Sequence, residues 1–260
     1  MLRLLIVGGG RMGEALLTGL LGSGWATAAE IGVVEAVAAR RDQLTAAFPD
    51  VQVLSEPVAA EGAVVAVKPG DVPAACAALA DAGRVLSIAA GVPLATLERH
   101  LAGRPVVRAM PNTPALIGAG AAAIAAGTSA GEDDLAWAEG ILGAVGDVVR
   151  VPESLLDAVT GLSGSGPAYV FLVAEALIDA GVLVGLPRDV SARLATATLL
   201  GSARLLAETG EAPETLRAGV TSPGGTTAAG LRVLEARGVR SAVLEAVAAA
   251  TERSKELGRS

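Results

Sequence analysis

The sequence LRLLIVGGGRMG at residues 2–13 is a short apolar run that leads directly into a glycine-rich turn. Gly8, Gly10 and Gly13 have the spacing G-x-G-x-x-G, and a helical pattern follows them. Glycines at this spacing allow a tight turn and a close approach of the backbone to a pyrophosphate, which lies at the N-terminus of the helix. An acidic residue, Glu35, ends the second apolar run, where an acid contacts the ribose in such units. The stretch predicts a dinucleotide site formed by Gly8, Gly10, Arg11, Met12, Gly13 and Glu35, and a plain glycine turn is the alternative.

Outward from this stretch, short apolar runs alternate with helical patterns as far as residue 151. This alternation is typical of an α/β domain with a largely parallel sheet. Strands are predicted at 2–7, 31–34, 51–53, 63–67, 84–88, 105–109, 121–125 and 147–151. Helices are predicted between them at 12–22, 38–48, 72–82, 93–101 and 132–142.

After Val151 and Pro152 the pattern is helical throughout. Helices are predicted at 153–161, 167–185, 188–208, 213–219, 226–237 and 240–257. We therefore expect an α/β fold, with a Rossmann-type dinucleotide-binding domain at 1–151 followed by an all-helical dimerisation domain at 152–260. The helix from Pro167 is apolar on nearly every side, so a partner subunit is expected to cover it.

Composition excludes several classes of function. The chain of 260 residues has 27 acidic and 20 basic residues and a net charge of −7, so we expect no nucleic-acid partner. One cysteine and one histidine, Cys76 and His100, exclude a disulfide framework and a Cys/His metal cluster, and no metal site is predicted. The apolar N-terminus is too short for a signal peptide, and Glu175 and Asp179 argue against a membrane span in the most apolar helix. We expect a soluble, cytoplasmic protein.

Two further motifs follow predicted strands, at the edge of the sheet where open α/β folds bind ligands. Ala66, Val67, Lys68 and Pro69 come after the fourth strand and are expected beside the ribose and nicotinamide of the cofactor. A surface lysine before a turn is the alternative. Asn112 comes after the sixth strand and is expected to hydrogen-bond a ligand, although a rigid loop without a ligand would have the same sequence.

Two loops in the helical half are rich in glycine and hydroxyl residues: SGSGPAY at 163–169 and TSPGGTT at 221–227. Each comes before a predicted helix, where free N–H groups and hydroxyls bind anions. Helix capping would account for only one serine or threonine in each loop. Capping does not explain two successive glycines followed by two threonines in the loop 221–227, so we predict that a carboxylate binds there.

Together these motifs resemble the pyrroline-5-carboxylate reductase family, over the whole chain. The motifs that carry the resemblance are Gly8–Gly13, Ala66–Pro69, Ser87–Gly91, Arg108–Pro114, Ser163–Phe171, Val220–Thr227 and Glu252–Leu257. The resemblance implies reduction of the cyclic imine 1-pyrroline-5-carboxylate to L-proline by hydride from NADPH or NADH, the last step of proline biosynthesis. It also implies a homo-oligomer built on an interlocked dimer, with the substrate between one subunit's cofactor and the helical domain of its partner.

The resemblance also assigns roles to residues of the second loop. Thr227 matches the threonine whose hydroxyl contacts the ring nitrogen, and it is therefore the expected catalytic residue. The substrate carboxylate is expected on the loop formed by Ser222, Gly224, Gly225 and Thr226, next to Thr227.

The sequence departs from the family in the cofactor region. Glu35-Ala36-Val37 stands where NADPH-preferring relatives usually have a small polar residue and an arginine, so Glu35 favours acceptance of NADH. Ser55 stands near the position where many relatives have an asparagine that contacts the cofactor.

Two other functions compete with this interpretation. A β-hydroxyacid dehydrogenase needs a catalytic lysine in its helical domain, but the only lysine after Lys68 is Lys255, in the C-terminal tail. A non-catalytic nucleotide-sensing protein is expected to have damaged substrate loops, whereas the loop 221–227 is intact.

Overall fold

The structure is a computed structural model that describes residues 1–79, 81–101 and 103–259, with the backbone alone at Arg259. The chain forms two compact units. The first contains Met1–Ser165 together with the chain from Ala248 onward, and the second is Gly166–Val247. The sequence places the boundary after residue 151, whereas the first unit extends to Ser165 and also includes the end of the last helix.

The first unit is built on one sheet of eight strands in the order β3-β2-β1-β4-β5-β6-β7-β8. The strands are β1 (Leu2–Val7), β2 (Ile31–Val34), β3 (Gln52–Leu54), β4 (Ala60–Val65), β5 (Val85–Ser87), β6 (Val106–Met110), β7 (Gly120–Ala126) and β8 (Gly146–Arg150). All neighbouring strands are parallel except β6 and β7. Each predicted strand is present, with its ends moved by a few residues.

Helices cover both faces of this sheet. They are α1 (Arg11–Gly22), α2 (Ala38–Ala47), α3 (Val72–Ala77), α4 (Leu94–Leu101), α5 (Glu132–Gly143) and α6 (Leu156–Val159). Leu4 and Ile6 of β1 are fully buried in the core cluster that contains side chains of α1 and α5. Leu5 and Val7 lie in a second cluster, with side chains of α3 and α4. This alternation follows from the two-residue period of a strand.

The third helix is shorter than predicted, since α3 ends at Ala77 and not at residue 82. The chain must then turn back to the sheet, where Ala82 pairs with Ala60 at the start of β4. Gly83 approaches β4 so closely that a Cβ atom there would lie 2.8 Å from the Glu61 carbonyl oxygen. A helix that continued through these residues could not make that approach.

The strand order reverses beside β1, which has β2 on one side and β4 on the other. The chain therefore runs from β1 through β2 and β3, and then crosses to β4. Ligands of open α/β sheets bind outside the carboxyl ends of the strands at such a point. The predicted α/β, Rossmann-type arrangement is confirmed.

The serine- and glycine-rich segment before the seventh helix is helical, so the prediction of a loop there is wrong. Residues Thr160–Gly164 form a π-helix, and the Ser165 N–H donates to the Thr160 carbonyl oxygen at 2.8 Å. A Cβ atom at Gly164 would lie 2.6 Å from Cε of Met110. A side chain at this position would therefore displace the end of Met110. Single π-helical turns often occur at functional sites.

The second unit contains helices only. They are α7 (Gly166–Leu183), α8 (Arg188–Thr209), α9 (Pro213–Gly219), α10 (Thr226–Ala236) and the first part of α11 (Val239–Arg259). Among the residues described in this unit, only Ser191 and Ala195 are buried. Ser191 Oγ donates to the Ile178 carbonyl oxygen at 2.7 Å, where α7 and α8 meet.

Large apolar side chains of this unit are exposed in the single chain. Phe171 is 62% and Leu172 66% exposed on α7, and Leu244 on α11 is 72% exposed. By length and composition alone, one helical stretch in the described part of the chain, Glu153–Leu183, could cross a membrane, and its most apolar window of 18 residues contains no buried residue. The second unit thus lacks an apolar core of its own among its described residues.

The last part of α11 belongs to the first unit. Ser254 is buried there, and its Oγ donates to Oδ1 of Asp157 at 2.7 Å. A cavity of about 440 Å³ lies between this helix end and the sheet domain, and the buried Arg108 lines it beside Lys255. Glu153 accepts hydrogen bonds there from Arg108 Nη1 at 2.8 Å and from the Leu94 N–H at 2.7 Å.

Candidate active site

The glycine turn after β1 is shaped by three glycines with different physical roles. Gly8 has φ +110°, and a Cβ atom there would lie 2.6 Å from the Ala66 carbonyl oxygen. A Cβ atom at Gly13 would lie 2.0 Å from the Gly8 carbonyl oxygen. No atom of the described residues lies within 4 Å of the Cβ position of Gly10. The first and third glycines are therefore needed for packing, while the second leaves open space before α1.

The N-terminus of α1 faces that space. Gly10 is its N-cap residue and is extended, and no side chain in the described part of the chain caps the helix. Arg11 and Met12 form the start of the first turn, whose N–H groups have no partner within the helix. These groups and the helix dipole favour a negatively charged group. The turn therefore fits the pyrophosphate of a dinucleotide.

Glu35 follows β2 and links two loops at the same edge of the sheet. Its Oε2 accepts a hydrogen bond from the Gly9 N–H at 3.1 Å, and its Oε1 accepts one from the Val37 N–H at 2.8 Å. Each carboxylate oxygen has a second lone pair, so both can still accept a ribose hydroxyl. The sequence predicts the position of this acid, but the link to Gly9 is visible only in the structure.

The segment after β4 meets the glycine turn. The Ala66 N–H donates to the Val7 carbonyl oxygen at 2.8 Å. The Ala66 carbonyl oxygen leaves no room for a side chain at Gly8. Val67 packs against the core, while Lys68 and Pro69 are exposed. The structure thus brings two of the predicted motifs together at the carboxyl edge of β1 and β4.

Asn112 is used within the protein. Its Nδ2 donates to the Ser163 carbonyl oxygen at 3.0 Å, and its Oδ1 accepts the Ala121 N–H at 2.8 Å. The side chain therefore ties the loop after β6 to β7 and to the π-helical turn. The contact of Asn112 with a ligand stays a prediction. The second hydrogen of Nδ2 would have to make this contact.

The loop before α10 presents a bare helix N-terminus. Gly224 has φ +70°, and the Gly225 N–H donates to the Ser222 carbonyl oxygen at 3.0 Å. Gly225 is the N-cap residue, so Thr226 and Thr227 occupy the first two helical positions. Among the residues that the structure describes, no side chain caps this helix. Neither threonine hydroxyl acts as the N-cap, which removes the capping explanation for this loop. Thr227 is half-buried, and Ser222 and Thr226 are exposed.

Comparison with protein families matches both parts of the chain. The profile of the family described as "Pyrroline-5-carboxylate reductase dimerisation" matches residues 153–257. The profile described as "NADP oxidoreductase coenzyme F420-dependent" matches residues 3–91, which contain the glycine turn and Glu35.

Individual relatives match over nearly the whole chain. A pyrroline-5-carboxylate reductase from Synechocystis sp. is 49% identical over 262 residues, which cover 98% of this chain and 97% of the relative. The chain belongs to the pyrroline-5-carboxylate reductase family. The solved structure of a pyrroline-5-carboxylate reductase from Coxiella burnetii has a TM-score of 0.94 and 35% identity, and covers 99% of both chains. That of the Plasmodium falciparum pyrroline carboxylate reductase with NADP bound has a TM-score of 0.85 and 29% identity, and covers 99% of this chain and 98% of the other.

The predicted function is therefore confirmed. The chain is an NAD(P)H-dependent oxidoreductase that reduces 1-pyrroline-5-carboxylate in proline biosynthesis. The alternatives of a β-hydroxyacid dehydrogenase and of a non-catalytic nucleotide sensor are set aside. The dimerisation profile spans α6 to α11, so the exposed apolar helices belong to the part through which members of this pyrroline-5-carboxylate reductase family form homo-oligomers.

Proposed function

We propose that Thr227 is the catalytic residue and that Ser222, Gly224, Gly225, Thr226 and Thr227 bind the substrate. The bare N-terminus of α10 is the observation that carries this proposal. Its first N–H groups have no side-chain cap, and the left-handed Gly224 turns the chain into the helix. A helix end of this kind binds anions, and the carboxylate of the substrate is such a group.

Reduction of a cyclic imine needs a hydride on carbon and a proton on nitrogen. The reduced nicotinamide supplies the hydride when it is bound. Because a protonated imine is already electrophilic, the protein needs no strong general base. It must hold the carboxylate, orient the ring and place a hydroxyl beside the nitrogen. Thr227 provides a hydroxyl that can donate or accept, whereas His100 is exposed on α4 and has no role in this scheme.

In the first unit we propose that Gly8, Gly10, Arg11, Met12 and Gly13 hold the pyrophosphate. Glu35 would accept hydrogen bonds from the adenosine ribose, with Ala66, Val67, Lys68, Pro69 and Asn112 lining the rest of the cofactor site. An acid at the end of the second strand binds ribose hydroxyls and repels a 2′-phosphate. We therefore propose that NADH is used at least as well as NADPH.

We propose that a second copy of the chain covers α7 in an interlocked dimer, and that neither a membrane nor a nucleic acid is a partner. Asp179 on α7 forms an exposed salt bridge of 3.0 Å with Arg188, and a bilayer would have to bury both charges. The net charge of −7 opposes binding to phosphate backbones. The protein would act in the cytoplasm, with the functional boundary between its dinucleotide-binding and dimerisation domains near residue 152.

The substrate role of the loop can be tested with a matched pair of glycine variants. Gly224 and Gly210 both have left-handed φ, and no described atom lies within 4 Å of either Cβ position. Alanine therefore costs roughly 1–2 kcal/mol of backbone strain at each. In an assay of NADH oxidation at 340 nm, Gly224→Ala should raise KM for pyrroline-5-carboxylate by about tenfold or more. Gly210→Ala should not change KM. Equal kinetics in the two variants would reduce the loop to a simple turn.

A further inference from the structure

The two consecutive peptide groups that flank Cα of Gly9, in the middle of the glycine turn, are each held by a charged side chain of the segment after β2. Glu35 accepts the Gly9 N–H at 3.1 Å. Arg40, from the first turn of α2, donates from Nε to the Gly9 carbonyl oxygen at 2.8 Å. Glu35 and Arg40 thus fix the orientation of these two adjacent peptide groups without a bound cofactor.

All three guanidinium nitrogens of Arg40 already donate to acceptors within the protein. Its Nη2 forms a salt bridge of 2.5 Å with Oε2 of Glu14 on α1, and its Nη1 donates to Oε1 of Gln43 at 3.1 Å. With Nε on Gly9, each of the three nitrogens has a protein acceptor, and Glu14 balances the charge.

Arg41, the next residue, is held differently. Its Nη1 donates to the carbonyl oxygens of Glu35 at 2.9 Å and Ala36 at 2.8 Å. These two carbonyls lie where β2 ends, beside the acid that faces the ribose in dinucleotide-binding folds. Within the described part of the chain Arg41 forms no salt bridge, and none of its hydrogen bonds involves Nε or Nη2. The half-buried guanidinium of Arg41 is thus anchored at the end of β2 through Nη1, while the N–H groups of Nε and Nη2 remain available to a ligand.

We infer that Arg41 is the residue that decides how well a 2′-phosphate is accepted, and that Arg40 serves the glycine turn instead. A guanidinium matches the geometry of a phosphate and binds it through two parallel N–H groups. Glu35 and Arg41 therefore have opposite effects at the 2′ position of the adenosine ribose. The acid favours a free 2′-hydroxyl, and the arginine favours a 2′-phosphate. The inference rests on the proposed cofactor role of the glycine turn.

Equilibrium binding tests the inference without turnover. Isothermal titration calorimetry would measure Kd for NAD⁺, NADP⁺ and the fragment 2′,5′-ADP with the wild type, Arg41→Gln, Arg41→Lys and Arg40→Gln. Arg41→Gln should raise the Kd for NADP⁺ and for 2′,5′-ADP by about tenfold or more, as expected for the loss of one charged phosphate contact. The Kd for NAD⁺ should stay within about twofold of the wild-type value. Arg41→Lys should recover part of the loss, because it keeps the charge without the bidentate geometry.

Two controls separate charge and folding from recognition. Arg99→Gln removes an exposed arginine from α4 and should leave all three constants unchanged. Arg40→Gln should raise the Kd for NAD⁺ and the Kd for NADP⁺ by the same factor, and it should lower the Tm of the protein. Selective loss of NADP⁺ in Arg40→Gln, or equal loss of both dinucleotides in Arg41→Gln, would overturn the inference. Failure of the wild type to bind either dinucleotide would instead refute the proposed cofactor site, and the inference with it.

Discussion

At the scale of single residues, the hydroxyl of Thr227 carries the sharpest prediction about catalysis. Thr227→Ala should lower kcat about 100-fold if the hydroxyl hydrogen-bonds and polarises the ring nitrogen in the transition state, a typical cost for one such group. The Kd for NADH should not change, because the residue belongs to the substrate loop. Stopped-flow or steady-state oxidation of NADH at 340 nm measures the first quantity, and fluorescence titration the second.

Thr227→Ser is the matched control for that experiment. It keeps the hydroxyl at the second position of α10 and should retain most of the activity. Because the N-cap of α10 is Gly225 and not this threonine, loss of helix capping cannot imitate the effect. Full turnover in Thr227→Ala would exclude the hydroxyl from the chemistry.

Glu35 governs the second prediction at this scale. The wild type should have a kcat/KM for NADH at least equal to that for NADPH, and Glu35→Ser should move the ratio toward NADPH by about one to two orders of magnitude. This corresponds to removal of roughly 1.4–3 kcal/mol of like-charge repulsion and desolvation. Measuring both cofactors under one set of conditions gives the ratio.

Serine also removes the acceptor of the Gly9 N–H, so a second variant is needed. Glu35→Gln removes the charge but keeps an oxygen that can accept from the turn. Equal shifts of the ratio in both variants would assign the effect to charge. A strong NADPH preference in the wild type would contradict the proposed influence of Glu35 and show that the arginine beside it dominates.

At the scale of elements, the start of α1 allows cofactor binding to be separated from folding. Gly10 has φ −69°, which alanine adopts without strain, and its Cβ position is open. Gly10→Ala should therefore leave the Tm of the apoprotein unchanged while raising the Kd for NADH about tenfold or more, because the methyl group occupies the space of the pyrophosphate.

Gly22, at the other end of the same helix, is the control for Gly10. It also has an open Cβ position, so Gly22→Ala should leave Kd unchanged and keep or slightly raise Tm. Differential scanning fluorimetry and fluorescence titration compare the two. If Gly10→Ala binds NADH as the wild type does, the dinucleotide does not approach the start of α1.

The strands were predictable because each is a short, apolar run with turn residues on both sides, and burial on both faces leaves that signature in sequence. The glycine spacing likewise marks the cofactor turn. The two-sided grip on Gly9 and the link from Asn112 to Ser163 were not predictable. They join residues 26 to 51 positions apart, and hydroxyl, amide and charged side chains do not reveal their partners by local pattern. The π-helical turn was missed because serine and glycine normally indicate a loop.

At the scale of the whole molecule, the exposed apolar surface of the second unit predicts an obligate homo-oligomer. Sedimentation velocity should show no folded monomer at micromolar concentration, and Tm should rise with protein concentration, as mass action requires. Leu172→Asp, on α7, should weaken the assembly by about 1.5–3 kcal/mol or more per subunit. In a two-fold dimer each substitution acts twice, which gives about 100-fold or more in the dimer Kd.

Val58→Asp is the control for that variant. Val58 is an exposed apolar residue of the first unit, at 44%, and its replacement should leave sedimentation unchanged. A wild-type protein that stays folded as a monomer at micromolar concentration would refute the assembly derived from α7.

The return of α11 to the first unit has a consequence for synthesis on the ribosome. Residues 166–247 are translated before the segment that contains Ser254, yet that segment completes the fold of residues 1–165. The sheet domain therefore cannot finish folding as an autonomous N-terminal module, although domains generally fold in the order of their synthesis. Its final packing waits until the apolar helices of the second unit have already emerged. During this part of synthesis the nascent chain exposes both an incomplete nucleotide-binding domain and the apolar surface of the second unit. A chaperone would therefore have the largest apolar surface to shield at this stage.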